Sequence, residues 1–149
     1  MEELKTSLKI VLANKFFMYF KAHSYHWNVE GMFFSQFHDF FGDIYQDVYA
    51  SIDTAAEELR ALDEYAPISI EEIHSFKTIN EDQSKPSSIV AMLENLQDAN
   101  TKVIDSLNKL FELADEQNEQ GLADWASGRL DSHKKHAWMI RSSLKKTGE

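Results

Sequence analysis

The fold is decided by the stretch Lys21-Ala-His-Ser-Tyr-His-Trp-Asn-Val-Glu-Gly-Met-Phe-Phe-Ser-Gln-Phe-His38, which leads on to Asp53-Thr-Ala-Ala-Glu57. It contains two groups of potential metal ligands, His26 with His38 and Asp53 with Glu57. Apolar residues recur between these groups at the three-and-four spacing of one helix face, which predicts one long amphipathic helix. They are Phe37, Phe41, Ile44, Val48, Ile52, Ala55, Leu59 and Leu62.

The length of this helix determines how the ligands can meet. His38 and Asp53 are 15 residues apart, which corresponds to about 22 Å on a straight helix. Metal–ligand bonds are only about 2.0–2.2 Å long, so one chain cannot bring both groups to the same ion. Two antiparallel copies could do so across a two-fold axis near Gln46 and Asp47, which would create two equivalent sites. The sequence therefore predicts a homo-oligomer in which each site takes histidines from one chain and carboxylates from the other.

The rest of the chain continues the helical pattern and has one long connection. Within residues 63–85, Ser69-Ile-Glu-Glu72 is typical of a capping box and predicts a short helix from Ile70 to Phe76. Pro86 suits the first turn of the next helix, with Lys85 or Ser84 as its cap. The long helices are predicted from near the N-terminus to about Trp27, from near Ser35 to Asp63, from Pro86 to about Ala114 and from Leu122 to Lys145.

This arrangement indicates the fold class. We expect a single all-α domain over residues 1–149, because no alternating strand pattern and no linker is visible. A bundle with only short loops does not need a long connection, whereas ferritin-like bundles have one long crossover. The position of the long connection favours a ferritin-like four-helix bundle, with the short helix in the crossover between helices two and three.

Composition narrows the function classes. The absence of cysteine excludes disulfides, zinc–thiolate sites and a cysteine nucleophile. Neither a secretory signal nor a membrane-length apolar run is present, so we expect a cytoplasmic protein with no membrane partner. The net charge of −10 repels nucleic acid and attracts cations.

The other histidines are less suited to metal binding. Glu71 and His74 have the Glu-x-x-His spacing of di-iron bundles, but they occur once, on the short crossover helix, and are interpreted as a decoy. His133 and His136 lie beside two lysines, so we expect a solvated or inter-subunit face there. The three tryptophans are interpreted first as packing residues.

The residues now support a comparison with a known family. The segments His26-Trp-Asn-Val-Glu-Gly31, Phe34-Ser-Gln-Phe-His38 and Asp53-Thr-Ala-Ala-Glu57 resemble the signature of the Dps family, the mini-ferritins. The similarity continues in Arg129-Leu-Asp-Ser-His133 and Ala137-Trp-Met-Ile-Arg141. It implies a hollow shell of twelve subunits that oxidises Fe(II) with peroxide or oxygen, stores ferric iron and protects against oxidative damage.

The resemblance also implies roles for individual residues. His26 and His38 would bind iron, as Fe(II) or Fe(III), or another divalent metal from one subunit, with Asp53 and Glu57 from its neighbour. Glu57 would be placed to bridge two irons. Three further residues would lie near the site or along the iron path: Trp27 near the site, Asp124 at a three-fold pore and Asp131 on the same path.

One position departs from the family pattern. An acidic residue usually follows the second histidine by one turn, whereas this chain has Gly42 there. Asp43 points about 100° away around the helix and cannot simply substitute. The glycine suggests room for water or a partner side chain. The alternative function is therefore a metal- or DNA-binding shell with weak or no ferroxidase activity.

DNA binding has less support than metal binding. Family members that bind DNA often use a flexible lysine-rich tail, whereas this N-terminus has only Lys5 and Lys9, both within the predicted first helix. The basic segment from Arg141 to Lys146 ends in Glu149. Because phosphate contacts supply most non-specific affinity, the charge of −10 opposes DNA binding and nucleoid association.

Overall fold

The structure is a computed structural model that describes residues 1–146; the last residues of the predicted domain, including Glu149, lie outside it. No residue in the described part belongs to a β-strand, which confirms the all-α prediction. The short helix lies in the crossover, as expected. The elements are α1 (Glu2–Asn28), α2 (Phe34–Ala50), α3 (Ile52–Ala61), α4 (Ile70–Phe76), α5 (Ile89–Glu116) and α6 (Gln120–Leu144).

The bundle core forms where the apolar faces of the long helices meet. Helix α1 packs against α2 and α5, and α5 packs along α6, while the short α4 lies against α1. None of the helices in residues 1–146 is both long and apolar enough to cross a membrane. The largest fully buried apolar side chains include Leu4, Leu8, Met18, Tyr25, Phe41, Ile44, Leu59, Leu93, Leu96, Leu107 and Leu110.

Local chemistry explains where the helices begin and end. Asp63 after α3 and Asn118 after α5 both adopt φ near +59°, the left-handed conformation that closes a helix end. Ser69 caps α4, since its side chain accepts a hydrogen bond from the Glu72 N–H. The predicted cap of α5 was wrong: the helix starts at Ile89, and Ser88 accepts from the Ala91 N–H. Ser88 and the predicted Ser84 are equally able to cap, so residue type alone did not show that the helix begins three residues after Pro86.

The second long helix, predicted from near Ser35 to Asp63, is interrupted at Ser51, which separates α2 from α3. The Ser51 N–H donates to the Val48 carbonyl at 3.1 Å, a tighter turn than that of an α-helix. The Ser51 hydroxyl donates to the same carbonyl at 2.7 Å. The apolar periodicity continues through this break, so the hydrophobic pattern alone could not show it.

The long crossover is held against α1 by polar contacts. The Asn14 side chain donates to the Thr78 hydroxyl and accepts from the Thr78 N–H, at 2.9 and 2.8 Å. Lys21 and the Tyr25 hydroxyl both bind the Asp82 carboxylate. Burial and the adjacent Asp82 raise the pKa of Tyr25, so its hydroxyl stays protonated and donates. The loop is therefore fixed along the first helix.

Candidate metal centre

His26, near the end of α1, and His38, in the second turn of α2, form a stacked pair. Their ring centroids are 3.8 Å apart with an interplanar angle of 17°. His26 Nδ1 lies 2.6 Å from the His38 carbonyl oxygen, and His38 Nδ1 lies 2.7 Å from the His26 carbonyl oxygen. Each imidazole is therefore held by the backbone of the other residue.

This reciprocal bonding determines the protonation pattern of both rings. A backbone carbonyl can only accept, so each Nδ1 must carry its proton. In the neutral rings Nε2 then has the lone pair that a metal ion requires. A hydrogen bond from the other ring nitrogen is the usual support of a metal-binding histidine, because it sets both tautomer and orientation. The hydrogen bonds of both histidines therefore leave their Nε2 atoms free of the backbone carbonyls.

Gly42 packs directly against this pair. A Cβ atom at this position would lie 3.1 Å from His26 Nδ1 and 3.2 Å from its Cε1. The His26 ring packs so closely against this position that even a methyl group would require a small shift of the ring. Room for water or a partner side chain beside the glycine remains a prediction. The missing carboxylate and the position of His26 are therefore linked: a side chain at residue 42 would compete with the ring.

Asp53 and Glu57 lie on α3, one turn apart and both exposed. Within the described chain, neither carboxylate makes a hydrogen bond or a salt bridge to another side chain. Within residues 1–146, no group of three histidine and acidic side chains comes together at metal-binding distance. The structure therefore brings the two histidines together but does not join them to the two carboxylates in one subunit. Completion of the site by a second subunit remains a prediction.

An aromatic group that the sequence analysis missed adjoins the histidine pair. His23 stacks on Tyr45 with centroids 3.8 Å apart and an angle of 7°, and its Nδ1 lies 3.1 Å from the Tyr19 hydroxyl. Burial, and to a smaller extent His26, hold the pKa of His23 below its usual value. The available signal was the spacing of three between His23 and His26, which places both on one helix face.

The remaining predicted residues lie at the surface. Trp27 is 57% exposed and contacts the His23 ring at a centroid distance of 4.1 Å, next to the histidine pair. It therefore packs against aromatic rings at the surface and not in the core. Asp124 and Asp131 are exposed on α6, where they line one shallow depression together with Lys134. Their pore role remains a prediction.

His133 and His136 were expected on a solvated or inter-subunit face, and this is wrong for His133, which is fully buried. His133 Nδ1 lies 2.8 Å from the Asn100 side-chain oxygen, and its Nε2 lies 3.3 Å from both Lys15 Nζ and an Arg129 nitrogen. His136 Nε2 lies 2.7 Å from Asp47. The pattern of α6 could not reveal this, because the partners come from α1, α2 and α5.

Comparison with known proteins agrees with this architecture. The family model of the ferritin-like domain matches residues 6–148. A low-temperature-induced protein of Nostoc sp. is 31% identical over 134 residues, which cover 89% of this chain and 75% of the relative.

Two solved structures extend the comparison. Dps from Thermosynechococcus elongatus superposes with a TM-score of 0.94 at 26% identity, covering 99% of this chain and 93% of the other. The Dps protein of Vibrio cholerae, a member of the ferritin-like diiron-carboxylate proteins, gives 0.91 at 26% identity, with coverages of 97% and 90%. The chain belongs to the ferritin-like family and, within it, to the Dps mini-ferritins, as its helix order, its histidine pair and these similarities show.

Proposed function

We propose that this protein binds Fe(II) at sites shared by two subunits, oxidises it with hydrogen peroxide or oxygen and stores ferric iron inside a shell of twelve subunits. The observation that carries the proposal is the pair His26 and His38, whose Nδ1 atoms are engaged by backbone and whose Nε2 atoms remain available. The cell would use such a cytoplasmic shell to remove iron and peroxide together.

The available donors suit iron as the substrate. Imidazole nitrogen combined with carboxylate oxygen is a ligand set typical of iron, manganese and zinc. Asp53 and Glu57 repel one another at their one-turn spacing, and a shared cation would offset this repulsion. The chain's role is to hold two Fe(II) ions together. Each would lose one electron, and the two electrons with two protons from water would reduce one hydrogen peroxide to two waters. The acidic surface at Asp124 and Asp131 would supply the cations.

The test is anaerobic loading of the shell with Fe(II), followed by peroxide, with the ferric absorbance recorded over time. We expect Glu57→Ala to slow the rise by at least about tenfold, because it removes a ligand from every site. Glu112→Ala removes an exposed carboxylate from α5 and serves as the matched control, with a rate equal to that of the original chain. A rate for the original chain no faster than protein-free solution would reject the proposal.

A second candidate function is supported by Gly42. In this alternative, the shell binds metal ions or DNA but oxidises iron weakly, since one carboxylate of the usual pattern is absent and the His26 ring packs closely against that position. Tight zinc binding without accelerated iron oxidation would favour this alternative. A mobility-shift assay at physiological salt tests its DNA version, which the net charge of −10 opposes.

A further inference from the structure

Lys15 is fully buried in the bundle, although lysine is among the residues least often found there. Its ammonium nitrogen lies 2.9 Å from the Ser51 hydroxyl oxygen and 3.3 Å from His133 Nε2. It also lies 5.5 Å from the centre of the Trp125 ring. In residues 1–146, no carboxylate is among its hydrogen-bond partners. The lysine therefore bonds only to neutral groups.

The charges around Lys15 are unbalanced. Asp47 is the nearby anion, but Arg129 binds it through two nitrogens at 2.8 and 3.1 Å, and His136 binds it at 2.7 Å. Burial, and then the Arg129 charge, lower the pKa of Lys15 well below its usual value. Burying a charge that has no ion-pair partner costs free energy, and hydrogen bonds to neutral groups recover only part of that cost. Stability alone does not explain this lysine.

Lys15 instead binds Ser51, which forms the joint between α2 and α3. Ser51 is the one residue between these helices, and its hydroxyl accepts from Lys15 while donating to the Val48 carbonyl. A serine hydroxyl that bonds back onto a helix carbonyl tends to bend the helix. Asp47, one turn earlier, is held from the other side by α6. The joint is therefore fixed by α1 and α6 together.

Small rotations at this joint would displace the predicted ligands. Glu57 lies six residues after Ser51, about 9 Å along α3, so a rotation of about 10° would move it by roughly 1.5 Å. Ligand distances in a working metal site are held within about 0.2 Å. The angle at Ser51 therefore determines whether the carboxylates of one subunit can reach the histidines of another.

We infer that Lys15 is a positioning residue for the metal site: through Ser51 it sets the angle between α2, which carries His38, and α3, which carries Asp53 and Glu57. This inference rests on the proposed function. In this inference Lys15 does not contact the metal ion; it acts only through its hydrogen bond to Ser51. Its chemical role is to hold the serine hydroxyl in place at the break between the two helices.

The experiment measures Co(II) binding to the assembled shell by visible absorption, together with thermal unfolding. Lys15→Met removes the hydrogen bond that orients the Ser51 hydroxyl, while Arg129 still donates to His133. We expect this variant to melt no lower than the original chain but to bind Co(II) at least about tenfold more weakly. Ser51→Ala should weaken binding similarly, and Ser51→Thr, which keeps the hydroxyl, should restore it.

Lys21→Met is the matched control, because Lys21 is also a buried lysine of α1 but binds Asp82 in the crossover. It should melt lower and bind Co(II) normally. If Lys15→Met and Ser51→Ala bind like the original chain while Glu57→Ala loses binding, the positioning role is overturned and the proposed site stands. If Glu57→Ala also leaves binding unchanged, the proposed site fails and this inference fails with it.

Discussion

At the scale of single residues, Gly42 shows why a missing ligand cannot simply be replaced. The His26 ring is confined on three sides: by the His38 ring, by the His38 carbonyl and by the surface of α2 at residue 42. Glycine in a helix costs about 1 kcal/mol relative to alanine, so its presence here calls for a packing reason. The close approach of His26 supplies that reason.

The corresponding prediction concerns Gly42→Ala. The new methyl group would lie 3.1 Å from His26 Nδ1, and the ring can yield only by straining its bond to His38. We expect metal affinity to fall by about three- to tenfold, while the free energy of unfolding changes by less than about 1 kcal/mol, because the gain in helix propensity offsets the strain. Calorimetric Zn(II) titration and urea unfolding measure the two effects. Improved affinity in Gly42→Ala would show that the ring is not confined.

At the scale of elements, α1, α2, α5 and α6 meet in a buried polar network around His133. Burial, followed by the charges of Lys15 and Arg129, keeps the pKa of His133 well below its usual value, and Asp47 opposes this only weakly. In the folded protein His133 stays neutral and donates from Nδ1 to the Asn100 oxygen. An unfolded histidine takes up a proton near pH 6.5.

This network predicts how stability depends on pH. Below about pH 6.5 the unfolded chain binds a proton at residue 133 that the folded chain does not, so stability falls as pH decreases. The loss through this one group is up to about 1.4 kcal/mol per pH unit until the folded pKa is reached. His133→Gln keeps a polar side chain but cannot titrate. We expect the melting temperature of this variant to fall less than that of the original chain when the pH is lowered from 7.5 to 5. If both melting temperatures fall equally with pH, His133 is not held neutral in the folded protein.

At the scale of the whole molecule, the proposed site requires two subunits, and this can be tested without a structure of the shell. One variant combines His26→Ala with His38→Ala, and the other combines Asp53→Ala with Glu57→Ala. A shell made of the first variant alone lacks the histidine ligands at every site, and a shell made of the second alone lacks the carboxylate ligands. In a mixed antiparallel pair, one site lacks both halves and the other is complete.

Shells assembled from both variants together should therefore regain iron oxidation. If subunits pair at random, half of the pairs are mixed and one of their two sites is intact, so we expect about one quarter of the original rate. Either variant alone, and the two mixed after assembly, provide the baselines. No gain on co-assembly, with mixed shells verified by mass, would contradict ligands shared between subunits.

Sequence reasoning was most successful where a property is local and periodic. The helix spacing from Leu4 onward, the capping serine at Ser69 and the single long connection were sufficient for the all-α ferritin-like fold. The pairing of His26 with His38 also followed from the motif. The helices and the serine cap depend on neighbours within a few turns, which sequence spacing records directly.

Contacts between distant segments could be found only in the tertiary structure. The break at Ser51 coincides with a hydrogen bond from Lys15, which is 36 residues away, and the burial of His133 requires Asn100 from another helix. Helical periodicity places a residue on a face but does not say which polar group from another helix meets it. The sequence by itself therefore determined the helices and the candidate ligands. The tertiary structure decided the break between α2 and α3, the tautomers of the histidine pair and the space beside Gly42, because each depends on packing between different helices.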